Sequence, residues 1–371
     1  MISFSRKRKS IDCFFGGDMK MKVTKEMGVV LPDTTITSGN PVFLDATRQP
    51  FDIYGLCEGF CRLPRPVAEA TSKEVAERSL MPAGGRIRFK TDSDYVVVHA
   101  DTDGALADDT NDTYVSRRGF DMFEIRDGKP YFSAIFVPSQ GDGKNYSEGR
   151  IRFPSAKMRE LVISLPLFAK VKNVYIALRE GSTVEKGGEY SHKTPIVFYG
   201  SSIVHGVGAG KPSSNYPAII GRRLDSDFIN LGFAGAAKAE KAVMSYISLL
   251  TMSAFVYDYD HNAPSAEYLE KTHYDGYKTV RAKQPDLPII MASKVDYYSD
   301  EAENEKRRLI IEGSYKRGIA EGDKNLYFVD GRKIFDEDLR NESTQDGCHP
   351  NDVGYLAMAK AFGDIIEKII K

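Results

Sequence analysis

Two adjacent serines, Ser201 and Ser202, follow the apolar run PIVFYG (Pro195–Gly200). Near the other end of the chain, Asp346 and His349 stand three residues apart in the stretch DGCHPND. A serine nucleophile, an imidazole to take and return its proton, and a carboxylate to hold the imidazole in the useful tautomer are the parts acyl transfer requires. Between them lie GFAGAAK, with Gly235, and DYDHNAP, with His261 and Asn262. The backbone N–H groups of Ser202 and Gly235, with the carboxamide of Asn262, would form an oxyanion hole. The short Asp346–His349 spacing lets one tight turn present both side chains together. Phosphate binding is the competing reading of GSSIVHGVGAGKP, and it fails on spacing. Where a P-loop needs its first glycine stands His205, and Lys211 is followed by Pro212 rather than Ser or Thr. The dinucleotide fingerprint would need a glycine where Lys211 stands, and Val204 breaks G-x-S-x-G.

These residues need elements that bring them together. From about His192 onward, the apolar runs PIVFYG, DFINLGF, AFVYDYD, LPIIMAS and LYFVDG alternate with amphipathic helical stretches. Five βα units in succession predict an α/β fold, a parallel five-stranded sheet with helices on both faces. Ligands in such sheets gather beyond the carboxyl ends of the strands. That is where Ser202, Gly235, Asn262 and the Asp346/His349 pair fall. From Val42 to Leu178 the rhythm differs: GRIRFKT, YVVVHAD, FDMFEI, YFSAIFVP, RELVISLPLF and VKNVYIAL are separated by turn-rich segments. This spacing predicts an antiparallel β-sandwich or jelly roll. The polar segment EKGGEYSHKT marks the expected junction, giving domains 1–190 and 191–371.

The second half resembles the SGNH (GDSL-like) hydrolase superfamily. YGSSIVHG is similar to its first block, NLGFAG to the second, DYDHNAP to the third and DGCHPNDVGY to the last. With GFDMF at Gly119–Phe123 and LVISLPLF, the first half resembles the GxDLY-type N-terminal β-sandwich of one bacterial branch. The resemblance implies Ser202 as nucleophile with Asp346 and His349, and Ser202, Gly235 and Asn262 as oxyanion donors. It also implies a flavodoxin-like three-layer αβα sheet and serine esterase activity. Esters of acetylated sugars, lysolipids, acyl thioesters and aryl esters are the implied substrates, with O-acetyl groups on carbohydrates favoured. A lipid acylhydrolase of the same chemistry and a non-catalytic carbohydrate-binding protein on this scaffold are the alternatives. His205 and His261 are expected to line the pocket.

Composition narrows the rest. The 371 residues are 42% hydrophobic and 28% charged with net charge -1, which removes any general pull toward nucleic acid or anionic membrane. No apolar run approaches membrane-spanning length, and no export signal is legible, so a cytoplasmic protein is expected. The cluster Arg6–Lys9 reads as a solvated tail. Cys13, Cys57, Cys61 and Cys348 are expected as free thiols. No cofactor is expected, and no metal, because the sequence assembles no ligand set at usable spacing. The expected partner is a small-molecule or oligosaccharide ester, and oligomeric state has no sequence signature.

Overall fold

The computed structural model describes residues 20–103, 112–137 and 145–370. Arg6–Lys9 and Cys13 lie outside them. In the second half, strands His192–Gly200, Ser226–Gly232, Ala254–Asp258, Ile289–Ala292 and Leu326–Val329 form one parallel sheet. By sequence order of the strands, their spatial order is 2-1-3-4-5. The strand order therefore reverses around the first strand, and the carboxyl end of such a strand is where sheets of this kind place a binding crevice.

Every strand residue from Ile196 to Gly200 is buried, because helices cover both faces. Val197 and Tyr199 face one layer with Val243, Leu269, Val280 and Ile311. Ile196 and Phe198 face the other, with Ile220, Tyr355, Phe362 and Ile366. The long helices Ala266–Arg281, Glu301–Ala320 and Asp352–Ile369 follow the predicted stretches, and each begins at a side-chain cap: Ser265, Asp300 and Asn351. Among the described residues, no helix is long and apolar enough to cross a membrane.

The first half holds two antiparallel sheets. Pro41–Asp45, Lys170–Arg179, Tyr95–Asp103 and Tyr146–Arg152 make the four-stranded one. Arg86–Thr91, Arg159–Ser164, Phe120–Arg126 and Lys129–Phe136 are the main strands of its seven-stranded companion. Phe89, Val98, Met122, Ile163 and Ile176 pack between the sheets. Strand Tyr146–Arg152 falls where the sequence reads partly as a turn. Its residues YSEGRIR are mostly polar, and pairing along Tyr95–Asp101 makes it a strand.

One connection departs from the sandwich pattern. Two short helices, Arg65–Thr71 and Lys73–Ser79, sit between strands Asp52–Tyr54 and Arg86–Thr91. Only the second has a legible helical pattern. Their apolar residues Ala68 and Val75, with Leu63 just ahead of them, join the core beneath the parallel sheet, beside Phe233, Ala236 and Val243. The first half thus reaches into the packing of the second.

Candidate active site

Gly200, Gly232 and Asp258 are register partners at the same level of the sheet, so the segments beyond them emerge side by side. Gly200 must be glycine: a Cβ there would lie 1.9 Å from the Asp258 carbonyl. The chain then turns into the short helix Ser202–His205. Here the two serines separate. Ser201 is fully buried, and its Oγ accepts the Ile203 N–H at 3.2 Å, capping the helix. Ser202 remains 9% exposed, and its Oγ lies 2.9 Å from His349 Nε2.

His349 Nδ1 lies 2.7 Å from Asp346 Oδ2, and Asp346 Oδ1 accepts the N–H groups of His349 at 2.7 Å and Cys348 at 3.0 Å. Burial alone would raise the Asp346 carboxyl, but the hydrogen bonds from His349 and Cys348 pull it down to about 2. A carboxylate can only accept, so Nδ1 carries the imidazole proton and Nε2 is left to accept the Ser202 hydroxyl. The three side chains form one relay, open to solvent at His349 and Asp346, whose side chains are 26% and 27% exposed.

Gly235 sits in a turn with φ of +72°, a left-handed conformation that glycine adopts without strain. Asn262 Oδ1 accepts the Ala237 N–H at 3.2 Å, which ties the loop after the third strand to the loop after the second and leaves Nδ2 for another acceptor. Ser202, Gly235, Asn262 and the Asp346–His349 turn therefore all stand at the carboxyl edge of the sheet.

The two expected pocket histidines are placed differently. His205, expected on a pocket wall, is instead fully buried: Nε2 donates to the Leu167 carbonyl at 2.8 Å, and the ring packs on Phe168. Burial, then the charge of Arg62, holds its pKa well below the ordinary value, so the ring is a neutral brace between the two halves. Its rotation inward follows from the Leu167 acceptor, 38 residues away, which no local pattern reveals. His261 is nearly buried and pairs through Nε2 with Asp296 Oδ1 at 2.8 Å.

His261, Asp296 and Cys348 bring one donor atom each to within 4.8 Å of one another. An N/O/S set of this kind suits a transition-metal ion. The sequence conceals it, because the three residues come from three different strand ends. Each already has a local role. His261 Nε2 pairs with Asp296, while His261 Nδ1 is buried with no hydrogen-bond partner among the described residues; burial, followed by the Asp296 and Asp346 charges, pushes the Cys348 thiol up to about 12. Cys57, Cys61 and Cys348 are free thiols.

The first half also supplies residues that sequence reasoning missed. Asp112 Oδ1 accepts the Gly208 N–H at 2.8 Å, and Thr113 Oγ1 donates to the Gly210 carbonyl at 2.8 Å, pinning the loop that follows the Ser202 helix. Arg62 and Arg78 lie beneath and beside the Gly235 turn.

This architecture agrees with comparisons to known proteins. Residues 193–367 match the GDSL-like lipase/acylhydrolase family, and residues 42–184 match the domain described as the N-terminus of SGNH-hydrolase-type esterases. A GDSL-like lipase candidate from Bacteroides ovatus ATCC 8483 is 28% identical, with a TM-score of 0.80 over 90% of this chain and 99% of its own. The salicylyl-acyltransferase SsfX3 of a tetracycline biosynthetic pathway shares the fold at 18% identity and a TM-score of 0.71, over 87% of this chain and 95% of its own. An acetyl xylan esterase, Est2A, from Butyrivibrio proteoclasticus shares it at 12% identity and a TM-score of 0.51, over 89% and 98%. The comparison with curated proteins gave no match.

The parallel sheet with its serine-bearing first turn makes the second half an SGNH-type hydrolase domain. The chain belongs to the SGNH (GDSL-like) hydrolases, in the branch with a GxDLY N-terminal domain, and is a carboxylic ester hydrolase.

Proposed function

We propose that Ser202, His349 and Asp346 are the catalytic triad of an esterase that removes small acyl groups, chiefly acetyl, from carbohydrate esters. The observation that carries the triad is the unbroken relay from Ser202 Oγ to His349 Nε2 (2.9 Å) and from His349 Nδ1 to Asp346 Oδ2 (2.7 Å). In the first step Ser202 Oγ attacks the ester carbonyl while Nε2 takes its proton. Asp346, held as a carboxylate, stabilises the resulting imidazolium. The N–H groups of Ser202 and Gly235 and the Asn262 carboxamide receive the charge on the carbonyl oxygen. Collapse expels the alcohol, which takes the proton back from Nε2. A water molecule then repeats the sequence on the acyl-enzyme and releases the acid.

The carbohydrate reading rests on fold analogy. The Clostridium thermocellum family two carbohydrate esterase, described in complex with cellohexaose, has a TM-score of 0.55 at 14% identity over 77% of this chain and 92% of its own. Est2A is a second neighbour of that type. In this reading the chain divides near residue 190, the first part shaping the mouth of the second through Asp112, Thr113 and the Arg65–Ser79 helices. The test is acetate release from acetylated xylan and mannan oligosaccharides, set beside hydrolysis of 4-nitrophenyl acetate, butyrate and octanoate. Acetate release with falling rates along the chain-length series supports it. Fastest turnover of octanoate would make the protein a lipid acylhydrolase, and no turnover of any ester would leave a carbohydrate-binding protein.

A further inference from the structure

Arg62 is an almost wholly buried cation, 1% exposed, with no carboxylate within ion-pair distance among the described residues. It is held by carbonyl groups instead: Nη1 donates to Asn230 and Gly232, and Nη2 donates to Arg78 at 2.7 Å. Its guanidinium also lies over the Phe233 ring, 4.8 Å from the centroid. Burial, then the neighbouring charge of Arg78, lowers its pKa to about 9, so it stays charged at neutral pH. Buried charges are normally paired, and leaving one unpaired is costly.

Arg78 stands next to it, at the end of helix Lys73–Ser79. Its carbonyl is fixed by Arg62, and its Nη1 donates to the Glu74 carbonyl at 3.3 Å. Its Nη2 is turned toward the Gly235 turn. A Cβ built on Gly235 would meet one heavy atom within 4 Å, Arg78 Nη2 at 3.9 Å. The space over Gly235 is therefore open, with a guanidinium as its nearest wall. Lys238 follows three residues later and adds a third positive charge.

The nearby acids offset these charges only in part: the Glu74 carboxyl is lowered by its own backbone N–H, then by the Ser72 hydroxyl and the charges of Lys238 and Arg78. Glu74 lies one turn back on the same helix, exposed, with no ion pair to Arg78 within 4 Å among the described residues. Glu240 is turned to its own loop, where Oε2 accepts the Lys238 N–H at 3.0 Å. Folding thus leaves a positive site beside a candidate oxyanion donor.

We propose that Arg78 forms an anion subsite at the mouth of the active site, selecting esters that carry a carboxylate a few bonds from the scissile group. The planar fork of a guanidinium matches a carboxylate in two parallel hydrogen bonds, and Arg62 beneath keeps the local potential positive. The subsite rests on the esterase reading of Ser202. The carboxylate can belong to the acyl group, as in a succinyl ester, or to the alcohol, as in an acetylated uronic acid.

The test compares two matched pairs. Mono-4-nitrophenyl succinate against its methyl ester probes the acyl side, and O-acetyl glucuronic acid against O-acetyl glucose probes the alcohol side. For each pair, the ratio of kcat/KM for charged over neutral substrate is measured in the wild-type protein, in Arg78→Met and in Arg78→Lys. In one pair the ratio should fall about 10- to 100-fold in Arg78→Met, the range for a hydrogen bond to a charged group. Arg78→Lys should restore part of it, and the wild-type ratio should shrink as salt is raised. Ratios unchanged by Arg78→Met in both pairs would overturn the subsite while leaving the esterase reading intact. Equal losses on charged and neutral esters would also overturn it, and would make Arg78 a partner of the oxyanion itself. No turnover of any of the four by the wild-type protein would overturn both readings.

Discussion

Asn262 Oδ1 accepts the Ala237 N–H at 3.2 Å, so the loop after the third strand of the parallel sheet holds the turn that contains Gly235. One side of the carboxamide is thereby occupied and the other is available to a reacting oxygen. An oxyanion donor binds the developing charge more strongly than the ground-state carbonyl, so its loss appears in kcat rather than KM. Asn262→Ala should lower kcat by about 10²–10³ with little change in KM. A change confined to KM in steady-state kinetics would mean that Asn262 contacts substrate instead.

The two serines should respond oppositely. Ser202→Ala removes the hydroxyl that faces His349 and should abolish ester hydrolysis and fluorophosphonate labelling. Ser201→Ala removes the cap on Ile203 N–H, costing about 1 kcal/mol of stability while leaving a substantial fraction of activity. Thermal melts and turnover of both variants check this. Near-normal turnover by the Ser202 variant would end the assignment.

Asp346→Asn should lower kcat by as much as about 10⁴, because an amide no longer favours the imidazole tautomer with its proton on Nδ1. The wild-type carboxyl, pulled down to about 2, stays ionised at neutral and mildly acidic pH and loses its role only as pH falls toward that value. Circular dichroism should be unchanged, and a kcat close to that of the wild type would argue against the orienting role.

Asp258 carries a pH signature in stability. Burial raises its carboxyl from the ordinary 3.8 to about 7, against the opposing pull of His261 and of the hydrogen bond from Tyr216 OH at 2.9 Å. The folded state therefore keeps a proton that the unfolded chain loses, and this group's contribution falls as pH rises from about 4 to about 7 and is level above that. Asp258→Asn keeps an acceptor for Tyr216 and removes the titration. Urea denaturation should show the variant gaining stability on wild type between pH 5 and pH 8. A constant difference between the two proteins across that range would refute the assignment.

Much of the site was legible because its parts are local. Strand ends follow from apolar runs that stop at glycine. The Asp346–His349 pair follows from a three-residue spacing that one turn can close. The choice of Ser202 over Ser201 came from resemblance, and its physical ground is the helix that starts between them, with one hydroxyl spent on the cap and the other left outside.

Other features depend on which distant surfaces meet. His205 became a brace because Leu167 offers a carbonyl. His261, Asp296 and Cys348 converge because three strands end side by side. Arg62 and Arg78 lie more than 150 residues before Gly235 in the chain, Arg62 just ahead of and Arg78 within a pair of short helices whose apolar faces find their partners under the parallel sheet. Periodicity of two or 3.6 residues says which face of an element is apolar, and nothing about which element it will meet. The candidate nucleophile, base and acid were therefore written in the sequence. The charges that surround them were decided by how the two halves pack.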